Sequence, residues 1–543
     1  MNSRNISIGV VLLIVIFLMG GSFQSAQQNR FNMSYIYFGS PSNYVNQVNK
    51  TRGSLHTVSP NYFDVSKEGE LIITWKLQES FISEMHKRGI KVVPFLANHW
   101  DRTAGINGLL NRDQIARDIA SAIKQYNLDG VNVDIEGIGH EYRDAHTDLI
   151  RLLRKYIPKD KVVSVSVAAN PNGWKTGWHG FYNYKALAGH SDYLMIMAYD
   201  ESWESTDSPI GPVASIGFSE RSIEYALNQG VQKEKIVHGI PFYGRIWKLD
   251  GPTLENRMIT GKGLSITNVT PLMKEFNGHT YFDENKQAPY TTFQIPKGKY
   301  TFIGSTKLTE GRYQIWYENE RSIKAKLRLT NRYDIKGTGS WALLHETPDV
   351  WDYYSLWLNG RYFVDVPLGN WAEGSIYFVS VKGWMNGTTN TTFLPNKNLT
   401  RAQSAVILIR ALGYGGQVPV SYHFKDTIGH WAQNEIELAK ELGFLNGVSP
   451  ERFAPNEPLT REQLATILYN IFQFEYSDPE SSPFTDVAIN HWSYQPVTAI
   501  YQKGYLSGYE DGTFRPKAPS TRAQMAALLE RMAIEFEDRK SNL

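Results

Sequence analysis

The segment Asp129-Gly-Val-Asn-Val-Asp-Ile-Glu136 sets three polar side chains two residues apart. Along a β-strand successive side chains alternate sides. Asn132, Asp134 and Glu136 therefore share one face, and Val131, Val133 and Ile135 share the other. An apolar face of that kind seeks covering helices, which turns the polar stair inward. Buried carboxyl groups are costly unless something uses them, and proton transfer to and from a substrate is the work such groups do. The competing reading is a polar network that only fixes strand register. Asp129, at the strand entrance and of opposite parity, is expected to brace the strand.

The elements that must hold this stair are legible from periodicity between Phe31 and Trp357. Short β-rich runs alternate with helical patterns, which argues for a parallel sheet covered by helices. The runs are Ser34–Phe38, Leu55–Pro60, Lys91–Ala97, Gly130–Glu136, Val162–Ala169, Tyr193–Tyr199, Ile236–Tyr243 and Gly337–Leu344. Between the third and fourth, Ile115, Ile119, Ile123 and Tyr126 recur at helical spacing. Eight strands in about 250 residues, plus one insertion, is the arithmetic of a (β/α)8 TIM barrel. The expected fold class is α/β, with the barrel over residues 31–358 and a small α+β insertion at about 248–320 walling one side of the cleft. Barrel active sites sit at the C-terminal rim, the end toward which Asp134 and Glu136 climb.

The stair resembles the catalytic signature of glycoside hydrolase family 18, Asp-x-x-Asp-x-Asp-x-Glu, with Asn132 at the second acidic position. Met197-Ala-Tyr-Asp200, Gly239-Ile-Pro-Phe-Tyr-Gly-Arg245 and Gly339-Ser-Trp341 match further elements of that family, in order, on strands six, seven and eight. The asparagine is similar to the branch containing spore-cortex-lytic enzymes, which implies cleavage at N-acetylglucosamine in peptidoglycan. The resemblance implies substrate-assisted retaining catalysis, in which the sugar's own 2-acetamido oxygen attacks the anomeric carbon. It implies that Glu136 protonates the leaving oxygen and then acts as base toward water. Asp134 would orient the acetamido N–H and offset developing positive charge, and Tyr199 would hold the acetamido oxygen in line. Trp341 would floor the sugar ring. Asn132, Asn98, Asp200, Tyr243 and Arg245 are the further substrate-binding candidates. Asparagine at position 132 removes a like-charge neighbour, and its amide is expected to donate to Asp134.

The C-terminal third repeats itself with a period of about 60 residues. Phe363-Val-Asp365 recurs as Phe424-Lys-Asp426 and Phe484-Thr-Asp486, each followed by a tryptophan, Trp371, Trp431 or Trp492. A Phe-x-Pro element comes next, at Phe393, Phe453 and Phe514, and then Thr400-Arg-Ala-Gln403, Thr460-Arg-Glu-Gln463 or Thr521-Arg-Ala-Gln524. Threonine with glutamine three residues on is a capping-box pattern, so each threonine should start a helix. The units resemble S-layer homology domains, placed at 360–417, 420–476 and 481–537 in an all-α module. That resemblance implies noncovalent anchoring to secondary cell wall polysaccharide, often anionic. Arg401, Arg461 and Arg522 would face that anion, since a guanidinium grips a carboxylate through two bonds.

Composition bounds the rest. The chain of 543 residues has a formal net charge of +2 and no Lys/Arg-rich run, which argues against nucleic acid as a partner. It has no cysteine, which excludes disulfides, thiol catalysis and Cys-based metal sites. No H-E-x-x-H or EF-hand spacing occurs, so neither metal nor other cofactor is implied. Residues 1–28, with the apolar run Ile8–Met19, read as a signal peptide or an uncleaved N-terminal anchor. The chain is then exported to the bacterial cell wall, touching membrane only if that segment stays uncleaved. Three functions fit: a wall-anchored hydrolase of peptidoglycan or chitin-like glycan, a non-catalytic carbohydrate-binding protein, or a structural surface-layer protein. Relatives that only bind typically lose the acid. Glu136, Asp134 and Tyr199 all remain here.

Overall fold

The computed structural model describes residues 29–541 apart from 251–259, 368, 478 and 480. The expected export segment, 1–28, lies outside the described residues. The strands are β1 (Phe31–Ile36), β2 (Thr57–Pro60), β3 (Lys91–Val92, resuming at Phe95–Ala97), β4 (Gly130–Asp134), β5 (Val162–Ala168), β6 (Tyr193–Met197), β7 (Ile236–Pro241) and β8 (Gly337–Trp341). Neighbours from β4 through β8 to β1 and β2 all pair in parallel. Closure runs through β3, which breaks at Val93-Pro94. Its first half pairs with β2 and its second half with β4. Proline has no N–H to give the ladder, so a break at Pro94 leaves no donor stranded. The result is the expected (β/α)8 barrel, with a two-stranded flap, Phe63–Val65 and Leu71–Ile73, added beside the second half of β3.

Side-chain parity sorts the barrel into two cores. Val131, Val133 and Ile135 are buried with the helices outside the barrel, together with Ile115, Ile119, Leu149 and Leu153. Met33, Tyr35, Phe95, Tyr193 and Met195 fill the barrel interior, with Tyr199 and Trp341 packed above them. Gly130, where β4 begins, has φ +147°, and a Cβ there would lie 2.0 Å from the Val162 carbonyl oxygen. Only glycine lets β4 enter the sheet at that point.

The insertion begins earlier than the expected Lys248. Strand β7 passes straight through Phe242 into Tyr243–Lys248, the second strand of a five-stranded antiparallel sheet. Helix Val269–Glu275 covers that sheet over a separate core of Ile246, Leu264, Phe293, Leu308 and Ile315.

The repeats form a closed ring of helices. Each Phe-x-Asp aspartate accepts two backbone N–H bonds from the Phe-x-Pro turn of its own unit. Asp365 binds Phe393 and Leu394, Asp426 binds Phe453 and Ala454, and Asp486 binds Phe514 and Arg515, all at 2.7–2.8 Å. That grip holds Leu394, Ala454 and Arg515 at positive φ. Thr400, Thr460 and Thr521 each cap a helix in a full capping box with the glutamine three residues on. The three following arginines depart from expectation: they are buried, not turned to solvent. Arg401 donates to the Phe453 and Asn446 carbonyls, Arg461 to those of Phe514 and Ser507, and Arg522 to those of Phe393 and Asn386. Each unit is thus latched to the next and the third back to the first. A buried guanidinium must satisfy its donors, and the backbone of the adjoining unit does so. Trp371, Trp431 and Trp492 are exposed.

Candidate active site

Strand β4 delivers the stair to a cleft of about 840 Å³ at the C-terminal rim, lined by Asp134, Glu136, Tyr35, Tyr199, Asp200, Tyr243 and Trp341. Six of the sequence candidates therefore meet in one cavity. Asp134 is almost fully buried, and its Oδ1 has no hydrogen-bond partner. Burial raises its carboxyl above the ordinary range, while Ser166 and the His99 imidazole pull it partly back. Glu136, one step past the strand end, is raised well above the ordinary value, first by burial and then by the charges of Asp134 and Asp200. A carboxyl group raised toward the working pH is what general acid catalysis requires.

The remaining candidates stand behind the cleft, and this corrects their expected role as substrate ligands. Asn132 is fully buried beneath the floor. Its Oδ1 accepts from Tyr35 at 3.0 Å and Ser166 at 2.8 Å, and its Nδ2 donates to Ser164 at 2.9 Å. The expected bond from its amide to Asp134 is not made; the amide is taken instead by Ser164 on the neighbouring strand β5. Arg245 is buried and pairs with Asp200, with Glu204 a further 3.3 Å contact. Together with the Tyr243 hydroxyl, 2.7 Å from Asp200 Oδ1, it fixes that carboxylate.

Asn98 holds the backbone of Glu136. Its Oδ1 accepts from the Glu136 N–H at 2.8 Å and its Nδ2 donates to the Glu136 carbonyl at 2.9 Å. A side-chain amide here takes the place of a neighbouring strand just where the sheet ends. Asn98→Ala removes both bonds, each worth about 1 kcal/mol. We expect kcat to fall roughly 10–100-fold through misplacement of Glu136, with KM little changed. Steady-state kinetics alongside a melting curve check this; a change confined to KM would show that Asn98 acts on ligand instead.

Spacing on β4 did not reveal the aromatic rim. Trp100, Trp174, Trp178 and Trp203 line the cleft and are each more than a third exposed. The rings of Trp100 and Trp178 lie tilted to each other with centroids 5.8 Å apart. The signal was available: these tryptophans fall on the loops after β3, β5 and β6, and βα loops build the C-terminal face of a barrel. Flat apolar rings with polar edges suit a sugar chain.

Both regions of the chain match models of known families. The model of Glycosyl hydrolases family 18 matches residues 33–346. The model of the S-layer homology domain matches 363–405, 423–465 and 483–526. The "Uncharacterized glycosylase YvbX" of Bacillus subtilis is 23% identical over 361 residues, covering 64% of this chain and 96% of that protein. The cortical fragment-lytic enzyme of Bacillus anthracis is 24% identical over 245 residues, 44% of this chain; the match spans about half, 52%, of that relative's length. Among solved structures, the spore cortex-lytic enzyme SleL of Bacillus cereus superposes with a TM-score of 0.51 at 20% identity, covering 61% of this chain and 74% of that one. At that identity the likeness speaks to fold.

Proposed function

Because the chain belongs to glycosyl hydrolases family 18, we propose that it cleaves β-1,4 bonds at N-acetylglucosamine in peptidoglycan or chitin-like glycans, by substrate-assisted retaining catalysis. Three S-layer homology domains indicate anchoring at the cell surface, and secondary cell wall polysaccharide is the proposed partner there. The observation that carries the reading is the pair Asp134 and Glu136, both raised by burial, in a cleft floored by Trp341 and edged by Tyr199.

That arrangement supports the following chemistry. Glu136 gives its proton to the leaving glycosidic oxygen. The acetamido oxygen, held in line by Tyr199, forms the bond to the anomeric carbon as the old bond breaks. Asp134 takes the acetamido N–H and offsets the positive charge of the oxazolinium-type intermediate. Water, deprotonated by Glu136, then opens the intermediate with net retention. Orientation of a tethered nucleophile is worth a large share of such a barrier.

The test is digestion of muropeptides, chitooligosaccharides and N-deacetylated chains, with products read by mass spectrometry. Acetylated chains should be cut and deacetylated ones should not, because the nucleophile is missing from them. Cleavage of a glucosamine or plain glucan bond at a comparable rate would falsify the mechanism.

A further inference from the structure

The charges that line the cleft are unequally partnered. Asp200 is held by Arg245 and Tyr243. Glu201 accepts from the backbone N–H of Ser215 at 2.7 Å and from its hydroxyl at 3.0 Å. Asp207 is taken up by Ser205 and by the Trp203 indole at 3.3 Å. His179 also lines the cleft, but burial lowers it to about 4, so it is neutral at ordinary pH. That leaves Arg221 as the fixed cation among the described lining residues, exposed and with its guanidinium in no hydrogen bond or ion pair among the described residues.

Arg221 lies on helix Ile216–Asn228, which follows the β6 loop. Its Nη1 sits back over the first turn, where a Cβ on Gly217 would come within 3.3 Å. The small residue leaves room for the guanidinium beside the helix N-terminus, whose own polarity is also positive. The cleft therefore presents, beyond its acidic centre, a positive group whose complement the protein does not supply.

We propose that Arg221 is a specificity-determining residue that grips a carboxylate carried by the glycan. A guanidinium matches a planar carboxylate through two parallel bonds. A neutral N-acetylglucosamine polymer leaves Arg221 idle. A glycan whose alternate sugars carry an acidic ether, or an acidic peptide on that ether, satisfies it. The inference rests on the proposed glycosidase reading and narrows it to acidic, peptidoglycan-type chains.

The test compares wild-type protein, Arg221→Gln and Arg221→Lys on four substrates: peptidoglycan chains bearing stem peptide, the same chains with peptide removed, the same chains with carboxyls reduced to alcohols, and neutral chitooligosaccharide. For Arg221→Gln the ratio of kcat/KM on acidic over neutral chains should fall about tenfold, through KM, and Arg221→Lys should recover part of it. Peptide removal frees the ether carboxyl that the peptide holds as an amide, so an effect that appears only after removal places the carboxylate on the sugar; one that vanishes places it on the peptide. Both support the proposal. An unchanged ratio, or a loss on carboxyl-reduced chains as large as that on acidic chains, overturns it. Wild-type protein inactive on all four overturns the glycosidase reading, and this inference with it, whereas an active wild type with an unresponsive variant overturns the inference alone.

Discussion

Glu136→Gln should lower turnover by at least ~10²–10⁴-fold while leaving the fold intact. The amide is isosteric with the carboxyl but has no proton to give the leaving oxygen. The backbone on either side keeps its supports: Asn98 grips residue 136 through main-chain atoms, and the Tyr182 hydroxyl donates to the Ile135 carbonyl at 3.0 Å. The wild-type profile should show its alkaline limb where Glu136 loses its proton. That limb lies above the ordinary carboxylate range, since burial and the charges of Asp134 and Asp200 all raise the group. In Glu136→Gln the residual rate should lose this limb. Matched kcat/KM profiles and melting curves decide the matter; a variant with wild-type activity on its best substrate would remove Glu136 from the role of acid.

How much of this was written in the sequence depends on what kind of physics each feature obeys. Parity on β4 is local, so the inward stair and the outward valines follow from seven residues alone. Order along the chain places Tyr199, Asp200 and Trp341 at strand ends, and the barrel rule brings those ends together. Direction of a side-chain amide is not local. Nothing in the spacing says that Asn132 turns its Nδ2 to Ser164 on β5 instead of to Asp134. The repeat arginines fail for the same reason. A first-turn arginine of a capped helix reads as solvated, yet Arg401, Arg461 and Arg522 each reach a carbonyl on another unit more than 40 residues away. Ring closure turns a surface position into a seam, and only the assembled ring reveals it. The break in β3 was legible in part: Pro94 announces it, but the use of both halves to close the barrel is a property of the whole sheet.

Asp134→Asn should abolish most activity and stabilise the protein. The loss, on the order of 10²-fold or more, arises because nothing then offsets the charge of the intermediate. The gain arises because Asp134 is buried with an Oδ1 that no donor meets. Its folded-state carboxyl is raised above the unfolded value. The folded protein therefore binds more protons than the unfolded chain between those two values, and stability falls as pH rises through that window. Below the unfolded value both states are protonated and the penalty is absent; above the folded value it is complete. Asparagine removes the titration, so the melting temperature of the variant should match wild type near pH 4 and exceed it by a few degrees above neutrality. A second consequence separates this from simple packing. The charge of Asp134 is one of the causes that raise Glu136, so its removal should shift the alkaline limb of the residual activity to lower pH. A variant less stable at pH 8 than at pH 4 relative to wild type, or an alkaline limb that stays in place, would show that Asp134 does not carry its charge into the cleft.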